Sequence, residues 1–333
     1  MLDGARKPGL IKLGVVAAIP WSMLMIHHTL NPQREMFPNP PPKTPIIEVL
    51  EREISLMPGS VFRGRVATFT GQTLEGNAKW GALGYRDYLM RNRFGTEHRS
   101  IGLWYYGIPT LWEYSPFITP AFYQFTKTLF AIPGDQQTRN VMTLRHPNAA
   151  MLAAIGVRFV ITDEPITKGK LQATFPLADM GMLYLNEIES PNVGQYSPQQ
   201  VIVSHNASET MQLLSRKDFD PQKTVVTETA LPSNLLPATS GKISVHPGGS
   251  LRITGTSPGT SMLLLPLEFS HCLMVMSDKQ TANPPTIFRA NLVQTGILFD
   301  RTVDVSIKFF LGPFQNSRCR LADVEDFKAL SPK

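Results

Sequence analysis

Arginine side chains are concentrated in one stretch of the sequence. Between Phe62 and Ser100 the chain has seven basic residues against three acidic ones. Guanidinium groups bind phosphate oxygens through paired hydrogen bonds, so this excess predicts contacts to anionic lipid headgroups or to a lipid-linked phosphate. The alternative is a solvated surface whose arginines pair internally. The arginines concerned are Arg63, Arg65, Arg86, Arg91, Arg93 and Arg99.

Aromatic residues follow directly, in a run that continues to Tyr123. Such rings either stack on flat ligands such as sugars or fill a hydrophobic core, and the sequence leaves both interpretations open. Together with the neighbouring arginines they form the predicted ligand-binding set. Its members are Arg86, Arg91, Arg93, Trp104, Tyr105, Tyr106 and Trp112.

The common catalytic and metal-binding patterns give little signal. The sequence has no GxGxxG or GxxxxGK[ST] motif, no HExxH and no CxxC. His27 and His28 are adjacent, so on a helix their side chains would point about 100° apart. Neighbouring carboxylates occur at Asp163–Glu164, Asp218/Asp220 and Asp323/Glu325/Asp326, and we interpret Asp163 as part of a strand-ending turn. We predict no catalytic residue, no metal and no cofactor.

Cys272 and Cys319 are the only two cysteines. Outside the cytoplasm they would pair as a disulfide, with two free buried thiols as the alternative. Asn206-Ala-Ser208 has the form of a glycosylation sequon. Because Glu209 follows Asn206 by three residues, we favour a helix cap at Asn206 instead.

Residues 10–30 form the most apolar part of the sequence, and Arg6, Lys7 and Lys12 precede its uncharged apolar stretch from Leu13 to Ile26. As a helix these 21 residues would be about 31 Å long, enough to span a bilayer. A cleaved signal peptide and a buried core helix are the alternatives. The membrane helix fits best, with an N-in orientation in the plasma (inner) membrane and the soluble body on the extracytoplasmic side.

A length of 333 residues predicts two folded units beyond the membrane. We expect a cytoplasmic tail and membrane helix at 1–31, a proline-rich linker at 32–43, an α+β or α/β domain at 44–232, and a jelly-roll-like β-sandwich at 233–330. Helices are predicted to begin at Pro45 and Thr119, and to cover 83–94, 147–157 and 206–214. Strands are predicted at 62–69, 158–162, 181–188 and 200–204. After Phe219 no helix is predicted up to Val324, and short strands alternate with turns.

The net charge of +6 contains no long run of Lys or Arg, so a dedicated nucleic-acid binder is excluded. Only 17% of the residues are charged. This low charge and the high proline content are typical of a loop-rich and strand-rich extracytoplasmic protein.

Three segments resemble one known family. They are the run from Tyr106 to Tyr114 followed by Tyr123-Gln-Phe125, the helix–strand unit from Asn148 to Ile161, and Leu183-Tyr-Leu-Asn-Glu-Ile188 followed by a β-rich tail with Leu263-Leu-Leu-Pro266 and Phe288-Arg-Ala-Asn291. Over about residues 10 to 325 the chain is similar to the C-terminal extracytoplasmic region of YfhO-like polytopic membrane proteins, which have a GT-C-type glycosyltransferase architecture.

The resemblance implies a catalytic core among transmembrane helices and a polyprenyl-phosphate-linked sugar donor. One predicted span cannot form such a core, so no catalytic residue is carried over and the chain is not expected to be catalytic alone. We expect the non-catalytic extracytoplasmic portion of a membrane glycosyltransferase system, positioning a lipid-linked sugar or acceptor glycan. The alternative is an independent membrane-anchored carbohydrate-binding or adhesion module. Expected partners are membrane lipid, a polyprenyl-phosphate sugar or glycan, and upstream transmembrane helices of a parent transferase.

Overall fold

The structure is a computed structural model. It describes residues 43–69, 98, 100–111, 119–131, 144, 146–162, 166, 169–177, 181–246, 250–277, 283–310 and 318–330. The predicted membrane helix at 10–30, nearly all of the linker at 32–43 and a predicted helix at 83–94 lie outside these residues. No helix in the described part of the chain combines the length and the apolar character needed to cross a membrane.

Six helices and eleven strands follow one another along the described residues. In chain order they are α1 (Pro45–Ile54), β1 (Arg65–Phe69), α2 (Ser100–Tyr105), α3 (Pro120–Phe130), α4 (Ala149–Ala154), β2 (Val157–Thr162), β3 (Lys170–Leu177), β4 (Gly181–Glu187), β5 (Gln200–Val203), α5 (Ala207–Leu214), β6 (Thr224–Thr227), β7 (Ser240–Val245), β8 (Leu251–Glu268), β9 (Leu273–Met276), β10 (Thr286–Ala290), β11 (Gln294–Phe309) and α6 (Arg318–Leu330).

The helix starts that the sequence predicts are confirmed. Thr44 caps α1 and Thr119 caps α3, each by accepting a backbone N–H three residues on, and a proline fills the first helical position in both. Asn206 caps α5 by accepting from the backbone of Glu209 at 2.9 Å. Asn148 caps α4, and Gly156 then joins α4 to β2 at a φ of +82°, a conformation that favours glycine.

Four strands form the first sheet, in the order β1-β2-β4-β3. The β1–β2 pair is parallel and the other pairs are antiparallel. One face packs against α3 and α4 through Phe69, Phe125 and Phe130. The opposite face packs against α1 and α2 through Leu50, Leu103 and other buried residues. Strand β3 was not among the strands predicted from the sequence.

The second sheet has seven strands, in the order β5-β6-β10-β11-β8-β7, with β9 also pairing with β11. Its two long strands, β8 and β11, have 18 and 16 residues. A Cβ added at Gly255 would lie 2.8 Å from Leu263 Cδ1, although a straight strand would separate these residues by about 26 Å. The sheet is therefore folded back on itself, with an irregular register between Asp300 and Thr302 and a φ of +56° at Arg301.

This topology replaces the expected jelly-roll-like sandwich by one continuous folded sheet among the described residues. A β-rich fold is confirmed. Strands β8 and β11 stay paired across the bend, so the same two strands contribute to both layers of the folded sheet. Residues on either side of the bend pack in one core, including Ile253, Leu263, Ile297 and Val303.

The boundary expected near residue 232 falls inside the seven-stranded sheet, since β5 and β6 precede it and the other five strands follow it. Buried amides also join the second sheet to α4, which packs on the first sheet. Asn192 donates to the carbonyl oxygens of Ala154 and Leu264 at 3.0 and 2.8 Å, and Gln294 donates to the same Ala154 oxygen at 2.8 Å. Residues 44–333 form one compact unit.

The C-terminal helix α6 corrects the expectation of a helix-free C-terminal half. Its residues have no apolar stripe, so hydrophobic periodicity gave no signal for it. Cys319 in its first turn is joined to Cys272 by a disulfide, with the two Cα atoms 5.0 Å apart. The structure therefore brings together the cysteines that the sequence analysis expected to pair.

Candidate ligand-binding cleft

The predicted aromatic residues divide between surface and core. Tyr106 is buried against α1, as the core interpretation expects. Trp104 and Tyr105 are 43% and 62% exposed, and the Trp104 indole N–H donates to Thr110 Oγ1 at 3.0 Å. The structure therefore offers two exposed rings at the end of α2. Trp112, Arg86, Arg91 and Arg93 lie outside the described residues.

Internal contacts hold one arginine of the basic stretch. Arg65 donates to the carbonyl oxygen of Pro266, and its guanidinium carbon lies 5.6 Å from the centre of the Phe62 ring. This contact ties β1 to β8. Arg63 is exposed. Arg65 therefore fits the alternative that arginines of this stretch make internal contacts. Arg99 lies outside the described residues.

An open cleft of about 520 Å³ lies between α4 and the turns that precede β3, follow β4 and precede β6. The small side chains of α4 leave room for it, because the helix lines the cleft with alanines alone. Its lining residues are Ala149, Ala150, Ala153, Gly169, Lys170, Ile188, Glu189, Tyr196, Asp220, Pro221 and Gln222.

The rim of the cleft is polar and its floor is apolar. Ala153, Ile188 and Pro221 are buried beneath it. Lys170 and Glu189 are exposed at the rim, and within the described residues neither forms an ion pair. Their charged groups are therefore available to a ligand.

Asp220 is held in place by its own turn. One carboxylate oxygen accepts from the Gln222 backbone N–H at 3.0 Å, and the other lies 3.1 Å from Lys223 Nζ. A short Asp-Pro-Gln turn of this kind fixes the side chain at the entrance to β6. Each carboxylate oxygen retains capacity to accept a further hydrogen bond.

Tyr196 lines the cleft and contacts the rim residue Gln222. Its buried hydroxyl donates to the Ser190 carbonyl oxygen at 2.8 Å and accepts from Gln222 Nε2 at 3.2 Å. Burial raises the pKa of Tyr196 to about 12, and the charge of Asp220 adds to this. The phenol is therefore neutral at physiological pH, and its role is to orient Gln222 rather than to exchange protons.

This arrangement is suited to binding a hydroxyl-rich molecule. The two carboxylates accept hydrogen bonds, Lys170 and Gln222 donate them, and the apolar floor can meet a face without polar groups. In the part of the chain that the structure describes, no group of three or more His, Cys, Asp or Glu side chains is arranged to hold a metal ion.

The carboxylate neighbours singled out in the sequence have separate roles. Asp218 is bound by Arg216 at 3.0 and 2.8 Å, so it does not act with Asp220. Asp323 and Asp326 bind residues around the disulfide. Asp163 lies outside the described residues. The cleft itself was not predicted, although the turns at Asp220-Pro221 and Glu189-Ser190-Pro191 are local signals that strand ends present polar side chains there.

Gly255–Gly259 has the G-x-S-x-G spacing of a serine-hydrolase nucleophile elbow, a pattern that was wrongly taken to be absent from the sequence. The elbow requires a sharp turn from a strand into a helix. Here the segment lies within β8, at the bend of the sheet, and Ser257 Oγ donates to the Pro237 carbonyl oxygen at 3.3 Å. The motif is therefore a bend in a strand and not a nucleophile.

The chain matches no family model, no curated protein and no solved structure.

Proposed function

We propose that this chain is the non-catalytic, extracytoplasmic portion of a membrane glycosyltransferase system, and that it holds a glycan or a lipid-linked sugar in the cleft. The observation that carries the proposal is the rim of Lys170, Glu189, Asp220 and Gln222 above an apolar floor. A volume of about 520 Å³ lies within the usual range of small-molecule sites.

The chemistry of saccharides matches this lining. A sugar ring carries hydroxyl groups around its edge and an apolar face of C–H groups. The carboxylates of Glu189 and Asp220 can each accept from two hydroxyls, and such charge-assisted hydrogen bonds are stronger than neutral ones. Lys170 is the cation of the rim, and it suits the phosphate of a lipid-linked sugar or the carboxylate of an acidic glycan.

The disulfide supports the extracytoplasmic placement. Disulfides persist in oxidising compartments and are rare in the cytosol. The resemblance to the YfhO-like extracytoplasmic region and the predicted N-in helix at 10–30 favour the same side of the membrane. Catalysis would then belong to transmembrane helices of a parent transferase.

The proposal is tested by measuring glycan binding to the full chain in detergent. A panel of defined oligosaccharides, neutral and acidic, identifies the best binder, and calorimetry then measures its affinity. Glu189→Gln and Asp220→Asn are expected to weaken binding by roughly tenfold or more, because each removes a charged acceptor. Asp218→Asn is the matched control: it lies two residues away, is bound by Arg216 and does not line the cleft.

Two results would overturn the proposal. One is that no oligosaccharide in the panel binds. The other is that Asp218→Asn weakens binding as much as Asp220→Asn, since the loss would then come from general electrostatics.

The exposed rings of Trp104 and Tyr105 favour a second candidate, an independent membrane-anchored carbohydrate-binding or adhesion module. Flat exposed aromatics stack on sugar faces without a cleft. Trp104→Ala distinguishes the candidates. Binding that is lost in Trp104→Ala and kept in Asp220→Asn would transfer the glycan site to α2.

A further inference from the structure

The bend divides the folded sheet into two arms. The outer face of one arm is exposed and carries both basic and large apolar side chains. This face is built from the first half of β8, the second half of β11, and strands β7 and β9. In this arm, directly paired residues of neighbouring strands share a face. The register places Lys242, Arg252, Asp304, Lys308, Met274, Met276 and Phe310 on the same side.

The inward-facing residues identify the other side as the core. Ile243, Ile253, Leu273, Val305 and Ile307 alternate with the outward set and pack in one hydrophobic cluster. All seven outward residues are exposed. The outward face is therefore open at these residues, whereas α6 covers it at Cys272, which is buried and bonded to Cys319.

Three of the exposed residues are large and apolar. Met274 and Met276 lie on β9, and Phe310 lies opposite Cys272, to whose carbonyl oxygen its backbone N–H donates at 3.0 Å. The two methionines lie on the edge strand β9, and Phe310 lies beside them at the end of β11. Exposed apolar groups gathered in this way mark surfaces that bind another apolar phase or partner.

The charges on the same face are predominantly positive. Lys242 and Lys308 form no ion pair within the described residues, whereas Arg252 is neutralised by Asp304 at 2.7 and 2.8 Å. The disulfide between Cys272 and Cys319 then places the first turn of α6 beside Phe310. That turn adds the exposed cations Arg318 and Arg320, also without ion pairs in the described residues, and the exposed Leu321.

We propose that this face, defined by Lys242, Met274, Met276, Lys308, Phe310 and the first turn of α6, lies against an anionic lipid bilayer. The cations complement lipid phosphates, and the methionines and Phe310 enter the boundary between headgroups and acyl chains. This surface is distinct from the cleft, and none of its residues lines it.

Hydroxyl-radical footprinting of the full chain in proteoliposomes tests the proposal, because it reports the exposure of individual side chains. Vesicles of phosphatidylcholine alone are compared with vesicles containing about 30% phosphatidylglycerol. Oxidation of Met274, Met276 and Phe310 is expected to slow by roughly threefold or more in the anionic vesicles and to recover at high salt. Leu171, exposed on β3, is the internal reference and should not change.

Two variants sharpen the result. Lys242→Glu with Lys308→Glu should abolish the protection, whereas Lys127→Glu with Lys217→Glu, the same charge change at exposed positions elsewhere, should preserve it. Equal oxidation in both vesicle types would overturn the proposal. Protection by soluble glycerol phosphate alone would also overturn it, since an isolated headgroup site would then suffice. Protection that required an added acidic protein rather than lipid would assign the face to a protein partner.

Discussion

The two terminal helices of the described fold are attached in opposite ways. Ile46, Ile47, Leu50 and Ile54 of α1 are fully buried against the four-stranded sheet. In α6, Leu321 and Val324 are 51% and 46% exposed. Hydrophobic burial therefore fixes α1, whereas the large apolar side chains described in α6 are about half exposed.

Covalent and polar contacts hold α6 instead. Besides the disulfide, Asp323 accepts from Ser270 Oγ and from the His271 backbone N–H at 2.7 and 2.8 Å. Asp326 makes a 2.6 Å hydrogen bond with His271 Nε2 and an ion pair with Arg289. The disulfide and the contacts to Ser270 and His271 join α6 to the segment just before β9, and the ion pair with Arg289 joins it to β10. A helix without an apolar stripe can therefore be positioned by a few directional contacts. Because these contacts are a disulfide and carboxylate hydrogen bonds, the position of the helix depends on redox state and pH.

The largest expected effect is that of Leu50→Ala. It should lower the free energy of unfolding by about 2–5 kcal/mol, because it leaves a cavity in a fully packed core. Leu321→Ala on α6 is the matched control and should change stability by less than about 0.5 kcal/mol, since its side chain is already exposed. Urea unfolding of both variants measures the difference. Similar losses would show that α6 is also held by apolar packing.

Next in size is the double change Cys272→Ser with Cys319→Ser. Loss of the disulfide should cost about 2–4 kcal/mol. Hydrogen exchange is the more informative readout: amides of α6 should exchange much faster, whereas those of α1 should keep their protection. Unchanged exchange in α6 would mean that the Asp323 and Asp326 contacts hold the helix by themselves.

The smallest effect is a pH dependence confined to α6. Burial of Asp326 opposes ionisation, but the hydrogen bond with His271 and the charge of Arg289 outweigh it and lower the pKa of this carboxyl below its ordinary value of 3.8. A carboxyl with a lowered pKa stabilises the fold above its ordinary pKa, and that contribution is lost as the pH falls through the folded value. Below about pH 4, exchange at the C-terminal end of α6 should therefore rise.

Asp326→Asn is the control for this pH effect. The variant should show faster exchange in α6 at neutral pH and a flatter response to acid. If the variant and the unchanged chain respond alike, another carboxyl is responsible, and Asp323 is the next to change.

Local signals in the sequence were sufficient for several elements. Thr44 with Pro45, Thr119 with Pro120, and Asn206 with Glu209 each satisfy helix N–H groups within a few residues, so their effect does not depend on the rest of the fold. Strand β3 was missed because Pro176 interrupts a short run of alternating residues. It is stabilised by pairing with β4 along its whole length, which is a non-local contact.

The candidate sites show the same division. The cysteine pair was expected because only two cysteines are present. The cleft could not be predicted, since Lys170, Glu189 and Asp220 come from three turns that converge only in the folded chain. The described members of the predicted aromatic set differ in burial. Tyr106 lies in the core, whereas Trp104 and Tyr105 are exposed. Sequence spacing cannot make that distinction, because exposure depends on which elements pack nearby.

The sequence by itself determined the caps, the amphipathic helix α1, the α4–Gly156–β2 connection and the β-rich character of the C-terminal half. Each of these follows from interactions between residues close in the chain or from a regular hydrophobic period. Tertiary structure alone decided the folding back of β8 and β11, the position of α6, the cleft and the exposed basic–apolar face. Those features depend on contacts between distant segments, and such contacts form only when the whole core is buried together.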